Sequence, residues 1–91
     1  MIVAKDYRVR GRVQGVGFRY FVVENAVRLG VRGYVRNLSN GDVEVHAEAE
    51  EDAIVLLRKA LEDGPMLARV AEVIEEDAPL TSRYSSFQVR G

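Results

Sequence analysis

The chain contains no cysteine, which excludes disulfides, thiolate metal sites and a cysteine nucleophile. It contains one histidine, His46, so no multi-histidine metal centre can form within one chain. No apolar run approaches the roughly 18 residues of a membrane span, and no signal-peptide pattern opens the sequence. The cytosol is therefore the expected location, and no membrane partner is expected. Internal repeats, linkers and low-complexity segments are also missing. Ninety-one residues leave room for one small domain, residues 1–91, and not for a second.

What is present reads as an ordinary globular chain. It is 47% hydrophobic and 30% charged, enough for one modest core. The net charge is −1 but unevenly spread. Residues 1–41 carry eight basic and two acidic groups, residues 42–91 five basic and twelve acidic. A basic half can mark a nucleic-acid binder. A single small fold brings both halves together, however, and lets the charges pair across strands, so no nucleic-acid partner is expected.

The hydrophobic pattern predicts a first strand over about residues 5–13, with Tyr7, Val9 and Val13 on one side and Arg8, Arg10 and Arg12 on the other. A helix follows over about 19–29, with Phe18, Val22, Ala26 and Leu29 on one face and Gly30 as its stop. A second strand covers about 31–38. Asn40-Gly41 marks a hairpin into a third strand over about 42–48, whose Val43, Val45 and Ala47 alternate with Asp42, Glu44, His46 and Glu48. A second helix covers about 50–61, with Ala53, Ile54, Leu57 and Leu61 inward, and Gly64-Pro65 ends it. In a fourth strand, about 67–76, the spacing of Val70, Val73 and Ile74 breaks period 2 and suggests a bulge. After a polar loop, residues 78–86, Phe87 to Arg90 form a short closing strand.

This βαββαβ order predicts an α+β, ferredoxin-like sandwich: a four- to five-stranded, mostly antiparallel sheet with two helices on one face. The first and third strands are then central neighbours. Arg8, Arg10 and Arg12 would face Glu44, His46 and Glu48 across the open side of the sheet.

The first strand runs into Gln14-Gly15-Val16-Gly17-Phe18-Arg19, directly before the first helix. Those parts build an anion site. Glycines with φ > 0 turn backbone N–H groups inward. A helix start adds unpaired donors and the positive end of its dipole. Arg19 supplies a fixed cation whose planar fork fits two phosphate oxygens. Without further context the same residues also suit a tight strand-to-helix turn beside a surface arginine.

Three familiar patterns come close and fail. The stretch lacks the third glycine of a dinucleotide fingerprint and the parallel sheet that goes with it. No Lys-Ser/Thr pair follows, as a nucleoside-triphosphate P-loop requires. Phe18, Tyr20 and Phe21 mimic an RNA-recognition motif, but they fall at a loop and helix start instead of facing outward on a central strand. Asn37, near the end of the second strand, suits a turn. In this fold it can also approach the loop before the first helix.

Gly11-x-Val13-Gln14-Gly15-Val16-Gly17-Phe18-Arg19, followed by Gly33-Tyr34-Val35-x-Asn37-x-x-x-Gly41-x-Val43-Glu44, resembles both signatures of the acylphosphatase family. The resemblance extends to Leu29-Gly30, to Gly64-Pro65 and to the closing Phe87-x-Val89, and so covers nearly the whole chain. Tyr34 stands where many members have tryptophan, Asn40 where aspartate is common, and Ala49 where glycine often follows the third strand. The resemblance implies hydrolysis of acyl phosphates to a carboxylate and inorganic phosphate; no metal or other cofactor is expected. It implies that Arg19 binds the phosphoryl group, that Asn37 positions the attacking water, and that the backbone of Gln14, Gly15, Val16, Gly17, Phe18 and Arg19 forms the cradle. A stand-alone monomeric enzyme is expected. The alternative is a phosphate- or carboxyphosphate-binding module of a larger assembly. Tyr20 and Phe21, beside the cradle, are expected to pack against the fold; contact with substrate is the competing reading. His46 is expected on the polar face, in a structural role.

Overall fold

A computed structural model describes residues 1–91. The elements in order are β1 (Ile2–Arg12), α1 (Phe18–Leu29), β2 (Arg32–Asn37), β3 (Val43–Glu50), α2 (Glu51–Asp63), β4 (Arg69–Ala78) and β5 (Phe87–Val89). The five strands form one sheet in the order β4-β1-β3-β2-β5, with only β5 parallel to its neighbour. The ferredoxin-like arrangement expected from the pattern is thus the one observed.

Alternation along the strands decides which face is covered. Tyr7, Val9, Val35, Val43, Val45 and Ala47 point to the helices and join Phe18, Val22 and Ala26 of α1 and Ile54, Leu57 and Leu61 of α2 in one core. Each helix presents its apolar stripe at the 3.6-residue period, and burial of that stripe holds helices too short to be stable alone. Gly30 closes α1 in the left-handed conformation, its N–H and that of Val31 returning to Val27 and Ala26. The irregular spacing in β4 is a bulge: Arg10 pairs with Glu72 but Gly11 with Val70, leaving Ala71 unmatched.

Three expectations need correction. First, β1 begins at Ile2, β3 continues to Glu50 and β4 runs two residues later than its pattern suggested. The small apolar residues Val3, Ala4 and Ala49 near these ends are absorbed by β1–β3 pairing. Second, the charged register differs. Arg8 does lie opposite Glu44, but His46 faces Asp6 and Glu48 faces Ala4. Arg10 instead reaches Asp42 at 3.5 Å and Glu72 at 3.6 Å. Third, the polar face of the sheet is covered in part, around His46 and Glu48, while Arg8, Arg10 and Arg12 stay exposed. The segment after β4 lies over the covered part and brings Thr81 and Ser82 to Glu48 and Tyr84 to the His46 ring.

That segment explains the buried charges. His46 contacts Asp6 through Nδ1 at 2.6 Å and Glu48 through Nε2 at 2.7 Å, with Tyr34 stacked on its ring. Glu48 also accepts the Thr81 hydroxyl at 2.7 Å and the N–H groups of Thr81 and Ser82. Burial alone would raise its pKa, but these donors win and hold it at about 2. Burial likewise pulls His46 down, yet Glu48 and Asp6 outweigh it and leave the imidazole above its ordinary 6.5.

The two shifts set opposite limits. The Glu48 contribution is full above pH 4.5 and is lost as pH falls toward about 2. The His46 contribution is full below pH 6.5 and is lost as pH rises through the raised value. Thermal unfolding midpoints should therefore peak between about pH 4.5 and 6.5. In His46→Asn the alkaline decline should shrink; an unchanged profile in that variant would show that the cluster does not govern it.

Candidate active site

The end of β1 and the start of α1 are joined by residues 13–17, and this short loop creates the site. Gly15 and Gly17 adopt φ of 73° and 77°, the left-handed region that a side chain disfavours. Gly17 is the N-cap of α1, and no side chain caps the helix. The first backbone hydrogen bond of the helix runs from Phe21 N–H to the Gly17 carbonyl at 3.1 Å. The N–H groups from Gly15 to Tyr20 thus donate to no backbone acceptor. Such a set of free donors at the positive end of a helix dipole suits an anion.

Gln14 anchors this loop by its side chain. Its amide donates to the carbonyls of Leu38 at 2.8 Å and Asp42 at 2.9 Å, tying the loop to the β2–β3 hairpin. That hairpin is itself closed by Leu38 N–H to the Asp42 carbonyl and by Asp42 N–H to the Asn40 side chain. Asn37, the last residue of β2, is thereby held against the loop. Sequence reading placed Gln14 in the cradle through its backbone and missed this strut. Its only sequence-level signal is a long amide directly before a glycine loop.

A cleft of about 100 Å³ is lined by Val13, Gly15, Gly17, Phe18, Arg19, Tyr20 and Asn37. Arg19 makes no ion pair with any carboxylate of the protein. Asn37 Oδ1 is buried and accepts from no donor of the protein, an arrangement that costs about 1–3 kcal/mol unless something else donates to it. The two residues singled out from sequence, 18 positions apart in the chain, thus line one cavity. Gly15, Gly17 and Phe18 line it with them, whereas the Val16 side chain packs against the core. Phe21 does pack, against the core and the Phe18 ring. Tyr20 does not: it is 75% exposed and forms part of the cleft wall. Its position at N3 of α1 turns it away from the sheet, which corrects the packing expected of it.

An arginine, an asparagine and a run of free backbone N–H groups, with no carboxylate, imidazole or thiol among the lining residues, have the chemistry of an anion site. Comparison with known proteins gives the class a family. The family model described as Acylphosphatase matches residues 5–89. An acylphosphatase of Pasteurella multocida is 42% identical over 89 residues, covering 98% of this chain and 99% of its own. The structure of an acylphosphatase from Coxiella burnetii superposes with a TM-score of 0.93 at 42% identity, over 98% of this chain and 93% of that one. The chain belongs to the acylphosphatase family, and its activity is acyl phosphate hydrolysis. Full-length HypF, crystallised in a phosphate- and nucleotide-bound form, contains a similar unit: TM-score 0.89 at 26% identity, covering all of this chain but 12% of that one.

Proposed function

We propose that the chain hydrolyses small acyl phosphates without a metal ion and without a protein base, as a monomer in the cytoplasm. Arg19 and the backbone N–H groups from Gln14 to Arg19 hold the phosphoryl oxygens, and Asn37 orients the attacking water. One observation supports the assignment of roles: Asn37 and Arg19 line the same small cleft, and the Asn37 Oδ1 is committed to no donor of the protein. An amide oxygen accepts an O–H of water and leaves the water's lone pair free to attack.

The chemistry needs no more than this. An acyl phosphate is a mixed anhydride whose leaving group is a carboxylate of low pKa, which departs without a general acid. The transition state spreads charge over the phosphoryl oxygens, so positioned donors supply most of the stabilisation. Arginine, with pKa above about 12, is not a base, and an asparagine amide does not usefully accept a proton. The proton of the water therefore passes to a phosphoryl oxygen of the substrate. The new bond joins water oxygen to phosphorus, and the phosphorus–acyl oxygen bond breaks with its electron pair going to the carboxylate. Absence of metal from this scheme is supported by the donor set, since no carboxylate, imidazole or thiol lines the cleft and Asn37 is its one side-chain amide.

Hydrolysis in ¹⁸O-labelled water tests the bond that breaks. The label should enter phosphate; label in the carboxylate would mean attack at the acyl carbon and would overturn this scheme. His46, the other candidate base, is held by Asp6 and Glu48 on the sheet face opposite the helices. His46→Asn should keep kcat within about twofold at a temperature where the variant is folded, whereas loss of one donor that acts in the transition state costs about 10²–10³. A tenfold loss would restore a protein base to the mechanism.

The likeness to HypF favours a second reading, a phosphate- or carboxyphosphate-binding module of a larger assembly. Phosphate binding without turnover of any simple acyl phosphate would select it.

A further inference from the structure

The face of α1 turned away from the sheet is apolar along one stripe. Tyr20, Val23 and Val27 recur at helical spacing, and Tyr20 and Val27 are 75% and 65% exposed. With Gly17, Phe21, Glu24 and Pro65 they line a groove of about 620 Å³. Gly17 and Tyr20 belong both to this groove and to the cleft that contains Arg19 and Asn37. The two depressions therefore share a wall. From Tyr20 to Val27 the helix advances about 10 Å.

We infer that this groove receives the acyl group of the substrate, and that it selects acyl phosphates whose acyl group is apolar and uncharged. The inference rests on the reading of the cleft as the phosphoryl site. Once the phosphoryl group is seated on the free N–H groups and Arg19, the acyl group leaves the cleft across the wall formed by Gly17 and Tyr20. It then meets a tyrosine ring and two valines. Covering them removes apolar surface from water on both partners, which favours association in proportion to the area. Tyr20 offers a large face with few rotatable bonds to immobilise. Single exposed apolar residues are ordinary; a contiguous row that continues a catalytic cleft is not. Glu24 is the one charged side chain lining the groove. It opposes an acyl group that ends in a second carboxylate, by a repulsion that salt screens because the site is open to solvent.

Selectivity is read as a ratio of kcat/KM values, so that a general loss of catalysis cancels. Benzoyl phosphate should be preferred over acetyl phosphate, and butyryl phosphate over succinyl phosphate. The double substitution Tyr20→Ser with Val27→Ser should lower the benzoyl-to-acetyl ratio about tenfold, near the low end of what an apolar contact discriminates. Both side chains are exposed, and an unfolding midpoint near that of the unaltered chain confirms a folded variant. Glu24→Gln should narrow the gap between butyryl and succinyl phosphate, most clearly at low salt. A benzoyl-to-acetyl ratio that stays within about twofold in the folded double variant, with both substrates still hydrolysed, overturns the groove assignment and leaves the phosphoryl site standing. Failure of the unaltered chain to hydrolyse any of the four would overturn both.

Discussion

Arg19→Gln should lower kcat/KM for acyl phosphates by at least about 10²–10³, the cost of removing one preorganised donor from an oxyanion-type site, and should weaken phosphate binding as well. On the proposed scheme the two losses are coupled, because the same guanidinium would meet the phosphoryl oxygens in the bound substrate, in the transition state and in the product. Glutamine keeps a polar amide of similar reach but loses the charge and the two-pronged fork. The variant is informative because Arg19 makes no ion pair with the protein's carboxylates that its loss would break. Its removal should leave the unfolding midpoint nearly unchanged, since surface substitutions away from packing and capping features usually stay within about 0.5 kcal/mol. Inhibition by inorganic phosphate should rise to higher concentration in step with the lost activity. Full activity in a folded Arg19→Gln would remove the arginine from the site.

Asn37→Ala should divide what Arg19→Gln takes together. It removes the buried Oδ1 but leaves the backbone donors and Arg19 in place, so phosphate should bind as before while kcat falls by about 10². Stability moves little or rises slightly, because the lost oxygen has no partner to leave unsatisfied. A variant with unchanged kcat would show that the unpartnered oxygen has no part in water attack. One that loses kcat and phosphate binding equally would make Asn37 part of the anion clamp.

The layout of this site was legible in the sequence for identifiable reasons. Two glycines spaced by one residue, at a point where period 2 gives way to period 3.6, place a turn at a helix start. The βαββαβ order then carries the end of β2 back beside that turn, and with it Asn37. What could not be read there depends on contacts between distant segments. The partners of Arg10 are set by the β1–β3 register, which in turn depends on how far β1 extends at Ile2 and β3 at Glu50. Alternation fixes which face a residue takes, but not its opposite number. The covering of the polar face by Thr81, Ser82 and Tyr84 gave no signal, because that segment is polar and makes its contacts through a buried carboxylate and an imidazole. Tyr20 sits among aromatic neighbours that do pack, and only the helix phase set by Gly17 separates it from Phe18 and Phe21. The groove beside it needs Pro65, brought from beyond α2.

On the proposed scheme a cradle of backbone donors, one arginine and one asparagine suffices for the reaction. This is tested most directly by benzoyl phosphate hydrolysis in the presence of EDTA, comparing the unaltered chain with Arg19→Gln and Asn37→Ala, each shown to be folded. Fast turnover by the unaltered chain, lost in both variants, is the predicted result. Turnover that EDTA abolishes and added metal restores, or that survives in either variant, would contradict it.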